Sequence, residues 1–182
     1  MAGKTTGDEI IELRLSTLAQ LFNSLDPSPF HERDLDDDAE AYLVDWAREL
    51  PRDSSFRIVL HLPEAEARKA RERDVAATLV HYFAERAIVL DRDLKEVFRT
   101  GRHNLGISVP LLFACLTASQ LIRVHYEGSA FGNILQESFV IVGWVANWKP
   151  IETFLYDWWP LARRRDLYRR LAKASVTIKS SD

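Results

Sequence analysis

The sequence predicts an α+β membrane protein, in which a two-helix transmembrane hairpin carries a small cytoplasmic mixed α/β domain. Two apolar runs predict the hairpin: residues 104–122 contain no charged side chain, and residues 130–148 follow after a short polar loop. Residues 1–103, in contrast, are rich in charge and contain short alternating apolar patterns that are typical of strands. The chain is therefore expected to separate into a membrane part and a water-soluble part.

Length, charge and cysteine content agree with this division. A chain of 182 residues suits one domain, or one small domain with a membrane hairpin. Its net charge of −3 gives no general attraction to nucleic acid. The single Cys115 excludes an internal disulfide and a cysteine-based metal cluster. Residues 1–15 lack the apolar core of a signal peptide, so the first apolar run is expected to act as an uncleaved signal.

Three short segments are predicted to form the strands of the cytoplasmic domain. Residues 10–16 and 56–62 alternate apolar and polar side chains, and 56–62 (FRIVLHL) has the clearest pattern. Residues 176–179 alternate in the same way near the C-terminus. The domain is thus expected to comprise residues 1–100, and the terminal strand in the segment 150–182 rejoins it if both termini lie on the same side of the membrane.

An acidic run with Asp34, Asp36 and Asp38 at alternate positions allows two interpretations. The spacing resembles the first half of a calcium loop, but Ala39 stands where that loop needs a glycine. Alternatively, the carboxylates begin a helix that ends near Leu50, where one Asp caps the N-terminus and the others face the positive end of the helix dipole. We prefer the second interpretation.

A long helix is predicted over residues 64–98. Pro63 suits the start of a helix, and no glycine or proline interrupts the segment. Its apolar residues recur every three or four positions, so it is expected to pack on the sheet or on its own copy. His81 and Glu85 lie four positions apart on this helix. Because two side chains are too few for a metal centre, we expect an ordinary side-chain pair and predict neither a metal nor a cofactor.

The two apolar runs are predicted to be transmembrane helices over 104–122 and 130–149. At about 1.5 Å per residue, the first crosses most of a hydrocarbon core that is roughly 30 Å thick. Ala114 and Ala118 form a pair of small residues four positions apart, which permits the close approach of another helix. The second helix is weaker, because Glu137 costs on the order of 3 kcal/mol near the centre of a bilayer.

Glu137 is the one ionisable residue within 130–148. Such a carboxylate is either a functional group, for example a proton relay or the contact of a basic group on another helix, or a protonated side chain bonded across the hairpin. We prefer the structural role, since a single carboxylate makes a poor relay. Thr117 lies at the expected level of Glu137. The candidate contacts for another membrane helix are Glu137, Ala114, Ala118 and Thr117.

Charged and aromatic residues beside the runs predict the topology. Basic residues flank the hairpin on both outer sides, whereas the loop between its helices contains only Arg123, so both termini belong in the cytoplasm. Tryptophans favour the headgroup level, and clustered arginines favour anionic lipid. The predicted interface residues are Trp144, Trp148, Trp158, Trp159, Arg163, Arg164, Arg165, Arg169 and Arg170.

The sequence contains no glycine-rich phosphate loop, nucleophile elbow or paired catalytic carboxylates. We therefore expect an accessory, scaffold or regulatory protein of a bacterial-type inner membrane, which is not an enzyme. It would act through anionic lipids and through a protein partner or a homo-oligomer, without nucleic acid.

Two alternatives remain at this point. A subunit of a small oligomeric ion or proton channel, or of a transporter, would use Glu137 and need several copies around a shared axis. A soluble α/β enzyme or binding domain would instead bury both apolar runs as a helical hairpin. In that case His31, His61, His81 and the acidic run would be candidates for a metal site.

Overall fold

The structure is a computed structural model that describes residues 9–23, 26, 33–51 and 55–180. The chain divides into two compact units. The first, which we call the α/β unit, contains Met1–Leu90 and Arg163–Asp182, and the second, the helical unit, contains Asp91–Ala162. The α/β unit thus combines an N-terminal and a C-terminal part of the chain, and its boundaries lie at residues 90 and 163.

A three-stranded parallel sheet lies in the α/β unit. Its strands are β1 (Glu9–Arg14), β2 (Phe56–Leu62) and β3 (Ser175–Ser180), in the order β1-β2-β3. All three strands were predicted from their alternating side chains. The pairing of the terminal strand β3 with β2 confirms that the C-terminal segment rejoins the sheet. Ile58 and Leu60 at the centre of β2 are fully buried.

Five α-helices accompany the sheet strands in the described part of the chain. The α/β unit contains α1 (Asp37–Glu49) and α2 (Glu64–Glu72), and a 3₁₀ turn covers Leu18–Gln20. The remaining helical segments, in chain order, are α3 (Val75–His125), α4 (Ala130–Glu152), a short π-helical turn (Thr153–Asp157) and α5 (Trp158–Leu171). Most of the described residues are thus helical.

The start of α1 agrees with the preferred interpretation of the acidic run. The Asp36 carboxylate accepts a hydrogen bond from the Asp38 amide at 3.1 Å and caps the helix. Asp37, Asp38 and Glu40 lie in the first turn, where the exposed amides of the helix favour negative charge.

The predicted helix over 64–98 is divided in the structure. Helix α2 ends at Glu72, and α3 begins at Val75, because Asp74 adopts a left-handed backbone conformation with φ of 49°. Asp and Asn tolerate this conformation better than other non-glycine residues do. The Asp74 carbonyl oxygen then accepts the amide of Thr78 at 3.1 Å, which starts the new helix.

Helix α3 does not stop before the apolar run, as the sequence suggested, but continues through it to His125. At the other end, Pro150 lies inside α4 instead of ending it. The helical path then continues through the π-helical turn to Leu171. The predicted interfacial segment that begins at residue 150 is therefore helical as far as Leu171 and precedes the terminal strand.

By length and composition, α3 is able to cross a membrane. Its most apolar window of 18 residues has a mean hydropathy of 1.8, and only 17% of that window is buried. Among the described helices, no other meets the same criterion. The helical unit does contain a hairpin of α3 and α4, but the assignment of both helices as membrane-spanning is not confirmed.

Candidate membrane-facing surface and polar clusters

Small residues bring α3 and α4 into close contact within the helical unit. A Cβ atom added at Gly143 would lie 2.9 Å from the Leu112 Cδ1 atom and 3.2 Å from the Cys115 Cβ atom. Cys115 is buried in this contact. Its thiol therefore has the buried, packing role that its place in the apolar run suggested.

A polar pair lies in the same contact. Asn147 and Ser108 are each only 5% exposed. The Ser108 hydroxyl donates to the Asn147 side-chain oxygen at 3.1 Å, and the Asn147 amide donates to the Ser108 carbonyl at 3.2 Å and the Gly143 carbonyl at 3.0 Å. The side-chain amide of Asn147 is thus fully used between the helices, which lowers the cost of burying it.

The outer surface of the hairpin is apolar. Phe113, Leu121 and Ile134 are 64%, 66% and 65% exposed. Further exposed apolar side chains are Leu105, Ile107, Leu111, Leu116 and Val124 on α3, and Phe131, Ile141, Val142, Val145 and Ile151 on α4. Many large exposed apolar side chains on one pair of helices are typical of proteins that contact a membrane or a partner. The two helices bury small residues against each other and leave their large ones outside.

Glu137 and its predicted neighbours lie on the outer side of this hairpin. The Glu137 side chain is exposed and makes no hydrogen bond or ion pair within the described part of the chain, so it does not bond across the hairpin to α3. Thr117 is exposed, and its hydroxyl donates to the Phe113 carbonyl at 2.8 Å. Ala114 is exposed and Ala118 half-buried. Glu137, Thr117 and Ala114 are therefore available to another helix, whereas Ala118 is partly covered.

Three of the four predicted interface tryptophans are exposed. Trp144, Trp148 and Trp159 are 62%, 67% and 51% exposed. Trp158 is half-buried: its indole donates to the Phe154 carbonyl at 2.9 Å, and its ring lies 6.0 Å from that of Phe98. Trp158 thus packs inside the helical unit, whereas the others remain on its surface.

The five predicted interface arginines have unequal surroundings in the α/β unit. Arg163 and Arg169 are exposed, while Arg165 pairs with Asp166 at 2.7 Å. Arg170 donates to the Pro51 carbonyl at 2.7 Å and lies over the Phe56 ring at 5.1 Å. At least part of the basic segment therefore packs on its own domain.

Arg164 belongs to a partly buried polar cluster around Glu40, which sequence reasoning missed. The Glu40 carboxylate accepts hydrogen bonds from the hydroxyls of Tyr82 and Tyr168. Arg86 lies 3.4 Å from the same carboxylate and donates to the Tyr82 hydroxyl at 3.0 Å, and Arg164 donates to the Tyr168 hydroxyl at 3.4 Å. The cluster joins α1, α3 and α5.

The electrostatics of the cluster keep Glu40 ionised. Burial alone would raise its pKa, but hydrogen bonds from Tyr168 and Tyr82 and the charges of Arg86 and Arg164 together hold the pKa below its ordinary value. Burial, and then the bond to Glu40, raise the pKa of the Tyr168 hydroxyl. The hydroxyls of both tyrosines are committed to the carboxylate. We therefore assign the cluster a structural role.

The other side chains considered for metal binding are in ordinary contacts. His81 lies 3.4 Å from Glu85 one helical turn away, which confirms the expected pair. His61 on β2 lies 3.6 Å from Glu12 on β1. In residues 9–23, 26, 33–51 and 55–180, no three His, Cys, Asp or Glu side chains are grouped to hold a metal ion. His31 lies outside this part of the chain.

No protein-family model, curated protein or solved structure matches this chain. Its function is therefore inferred from its own surfaces.

Proposed function

We propose that this protein is an integral inner-membrane accessory, scaffold or regulatory protein that holds its α/β unit at the membrane. It acts through lipid and protein contacts and performs no catalysis. The observation that carries the proposal is the exposed apolar surface of α3. Only 17% of the most apolar 18-residue window of this helix is buried.

The size of that surface favours lipid as its cover. Burial of one large apolar side chain contributes about 1.5–3 kcal/mol, and many such side chains are exposed on the hairpin. A soluble protein would bury this hairpin inside itself, and in this chain α3 and α4 bury mainly small residues against each other. The alternative of a soluble enzyme with a buried hairpin is therefore disfavoured.

The sheet supports a topology with both termini on one side. The chain leaves the α/β unit after residue 90 and returns to it at residue 163, and β1 and β3 belong to the same sheet. Any membrane crossing in between must therefore occur an even number of times. The basic residues Arg99, Arg102 and Lys149 lie beyond the open ends of the apolar runs. By the positive-inside rule this supports a cytoplasmic position of the α/β unit.

Glu137 is the proposed contact for a second membrane helix. An exposed carboxylate on an apolar surface is costly in a bilayer unless a basic or polar group meets it. Another subunit, including a second copy of this chain, is the proposed source of that group.

The exposed Glu137 carboxylate also favours a second candidate function, that of an oligomeric channel or transporter subunit. Several copies of the chain would then place Glu137 around a pore. Ion or proton flux into liposomes distinguishes the two functions. Flux that is present in the wild type and lost in Glu137→Gln would favour the channel, whereas absence of flux from assembled protein favours the scaffold.

Labelling of single cysteines tests the topology. In a Cys115→Ala background, Glu127→Cys places a thiol in the turn of the hairpin, and Glu49→Cys places one on the surface of α1. We expect a membrane-impermeant maleimide to label position 127 in intact spheroplasts and to label position 49 only after lysis. Labelling of both positions, or of position 49 alone, in intact spheroplasts would contradict the proposed topology.

A further inference from the structure

Strand β1 is an edge strand with a defined hydrogen-bonding pattern, and no other strand in the described part of the chain pairs with its outer side. The Glu9 amide donates to the Ser55 carbonyl at 3.1 Å, and the Leu15 amide donates to the His61 carbonyl at 2.9 Å. Because alternate residues of a strand direct their main-chain groups to opposite sides, Ile10, Glu12 and Arg14 direct theirs away from β2. These groups form an edge that is ready to pair with another strand.

A groove runs along this edge, between β1 and α1. It is a cavity of about 1010 Å³, at the upper end of the range for ligand sites, which is roughly 300–1,000 Å³. Ile10, Tyr42 and Trp46 line it and are 52%, 41% and 45% exposed. The rings of Tyr42 and Trp46 lie 6.1 Å apart. Apolar side chains of an added strand could therefore rest against exposed aromatic rings.

The charge of the groove is predominantly negative. Three carboxylates line it, those of Glu12, Asp36 and Asp38, against one guanidinium, that of Arg14. Groups of the same sign in one groove attract ligands of opposite charge and repel ligands of like charge. The groove is thus complementary to a segment that carries lysine or arginine.

We propose that the outer edge of β1 binds an extended, basic peptide segment of a partner protein, which adds to the sheet as a fourth strand. In this mode of recognition, main-chain hydrogen bonds supply affinity and alternate side chains supply specificity. The extended conformation is required by the outward main-chain groups of Ile10, Glu12 and Arg14. The basic character is required by the carboxylates of the groove.

The two edges of the sheet are not equivalent. At the β3 edge, the outward carbonyl of Ile178 already accepts the Arg71 guanidinium at 3.4 Å. The β1 edge is similar in this respect, because the Tyr42 hydroxyl donates to the Glu12 carbonyl at 3.3 Å, and in both cases the carbonyl oxygen has a second lone pair for an incoming amide. The edges differ because the acidic groove with Tyr42 and Trp46 lies beside β1. The peptide is therefore assigned to β1.

This inference rests on the proposed function in one respect, since it names the class of partner that the scaffold would hold. Its test does not require that the protein spans a membrane. Loss of peptide binding and failure of membrane insertion are separate results.

The test uses the full chain in detergent and two fluorescent heptapeptides, one of alternating lysine and valine and one of alternating glutamate and valine. Ile10→Pro removes the outward amide of Ile10 and blocks strand addition, while the bonds between β1 and β2 are retained. Val176→Pro is the matched control, because Val176 shares the outward direction of Ile178 on β3. Circular dichroism checks that both variants fold.

We expect the lysine peptide to bind the wild type and the Val176→Pro variant with equal affinity. Ile10→Pro should weaken its binding about tenfold or more, since main-chain hydrogen bonds are lost. Glu12→Lys, a variant that retains the amide, should weaken the lysine peptide and strengthen the glutamate peptide. Equal binding to the wild type, Ile10→Pro and Glu12→Lys would overturn the proposal. Conversion of a dimer into a monomer by Ile10→Pro, without peptide binding, would also overturn it and assign the edge to a second copy.

Discussion

Ser108 and Asn147 hold the two helices of the helical unit together by reciprocal hydrogen bonds, although they lie 39 positions apart in the sequence. Each donates one hydrogen bond to the other. Because both side chains are buried, a change of register between α3 and α4 would break the hydrogen bonds between them and leave only the bonds within each helix. Burial of an unpaired polar group is costly, so this pair fixes the register of the hairpin.

Asn147→Ala should lower the free energy of unfolding of the helical unit by about 1–2 kcal/mol, because Ser108 then loses its partner and a small cavity forms. Thermal unfolding in detergent measures the effect. Asn133→Ala is the matched control, since Asn133 lies on the same helix and is exposed. Equal losses in both variants would show that the pair contributes nothing specific.

Gly143→Val should destabilise the contact between α3 and α4 by about 1–3 kcal/mol, because its side chain meets Leu112 and Cys115 where even a Cβ atom is crowded. Gly106→Ala should instead stabilise α3 by about 0.5–1 kcal/mol, since no atom within 4 Å opposes its Cβ and alanine favours a helix. The melting temperatures of the two variants should therefore change in opposite directions. A stable Gly143→Val variant would mean that the helices are not in close contact.

Glu40→Gln should lower the stability of the α/β unit by about 1–3 kcal/mol at neutral pH, because the charged acceptor of Tyr82 and Tyr168 is lost. Glu49→Gln, at the exposed end of the same helix, should have little effect. Urea unfolding followed by circular dichroism compares the two variants. Similar urea midpoints for the two variants would contradict the structural role that we assign to the cluster around Glu40.

The same carboxylate gives a pH dependence of defined sign. The pKa of Glu40 is lower in the folded state than its ordinary value of 4.5, so the unfolded state binds more protons in acid. The contribution of the Glu40 carboxylate to the free energy of unfolding is complete above pH 4.5. It is lost as the pH falls through the pKa that Glu40 has in the folded state. The difference in unfolding free energy between the wild type and Glu40→Gln should therefore shrink below pH 4.5. A constant difference across this range would contradict the assignment.

Glu137→Gln should weaken a complex or oligomer of the protein in detergent, because the exposed carboxylate is the proposed contact for a basic group on another helix. Glu127→Gln, in the turn of the hairpin, is the control. Sedimentation or native mass spectrometry reports the assembled fraction. Unchanged assembly of Glu137→Gln would rule out this contact.

The strands could be predicted because their signal is local. Alternation within 56–62 and near Val176 is sufficient to indicate a half-buried strand. The charges that flank the hairpin independently predicted both termini on one side, which is the condition for β3 to rejoin the sheet. The break between α2 and α3 could not be predicted in the same way. It depends on the left-handed backbone conformation of Asp74, and no glycine or proline in this segment indicates a break.

The polar clusters could not be predicted because their members are distant in sequence. Glu40 is 42 positions from Tyr82 and 128 from Tyr168, and no local pattern connects them. The position of Glu137 did have a signal. It lies six residues before Gly143, which at 3.6 residues per turn places it about 120° around α4 from the residue that contacts α3.

Extraction of membranes with alkaline carbonate tests the central claim, that α3 and α4 insert into a lipid bilayer. A tagged wild-type chain is expressed, and the pellet and the supernatant are compared after extraction. The proposed function predicts that the protein remains in the pellet with integral membrane proteins. Release of the folded protein into the supernatant would contradict insertion and would mean that another protein covers the apolar surface of the hairpin.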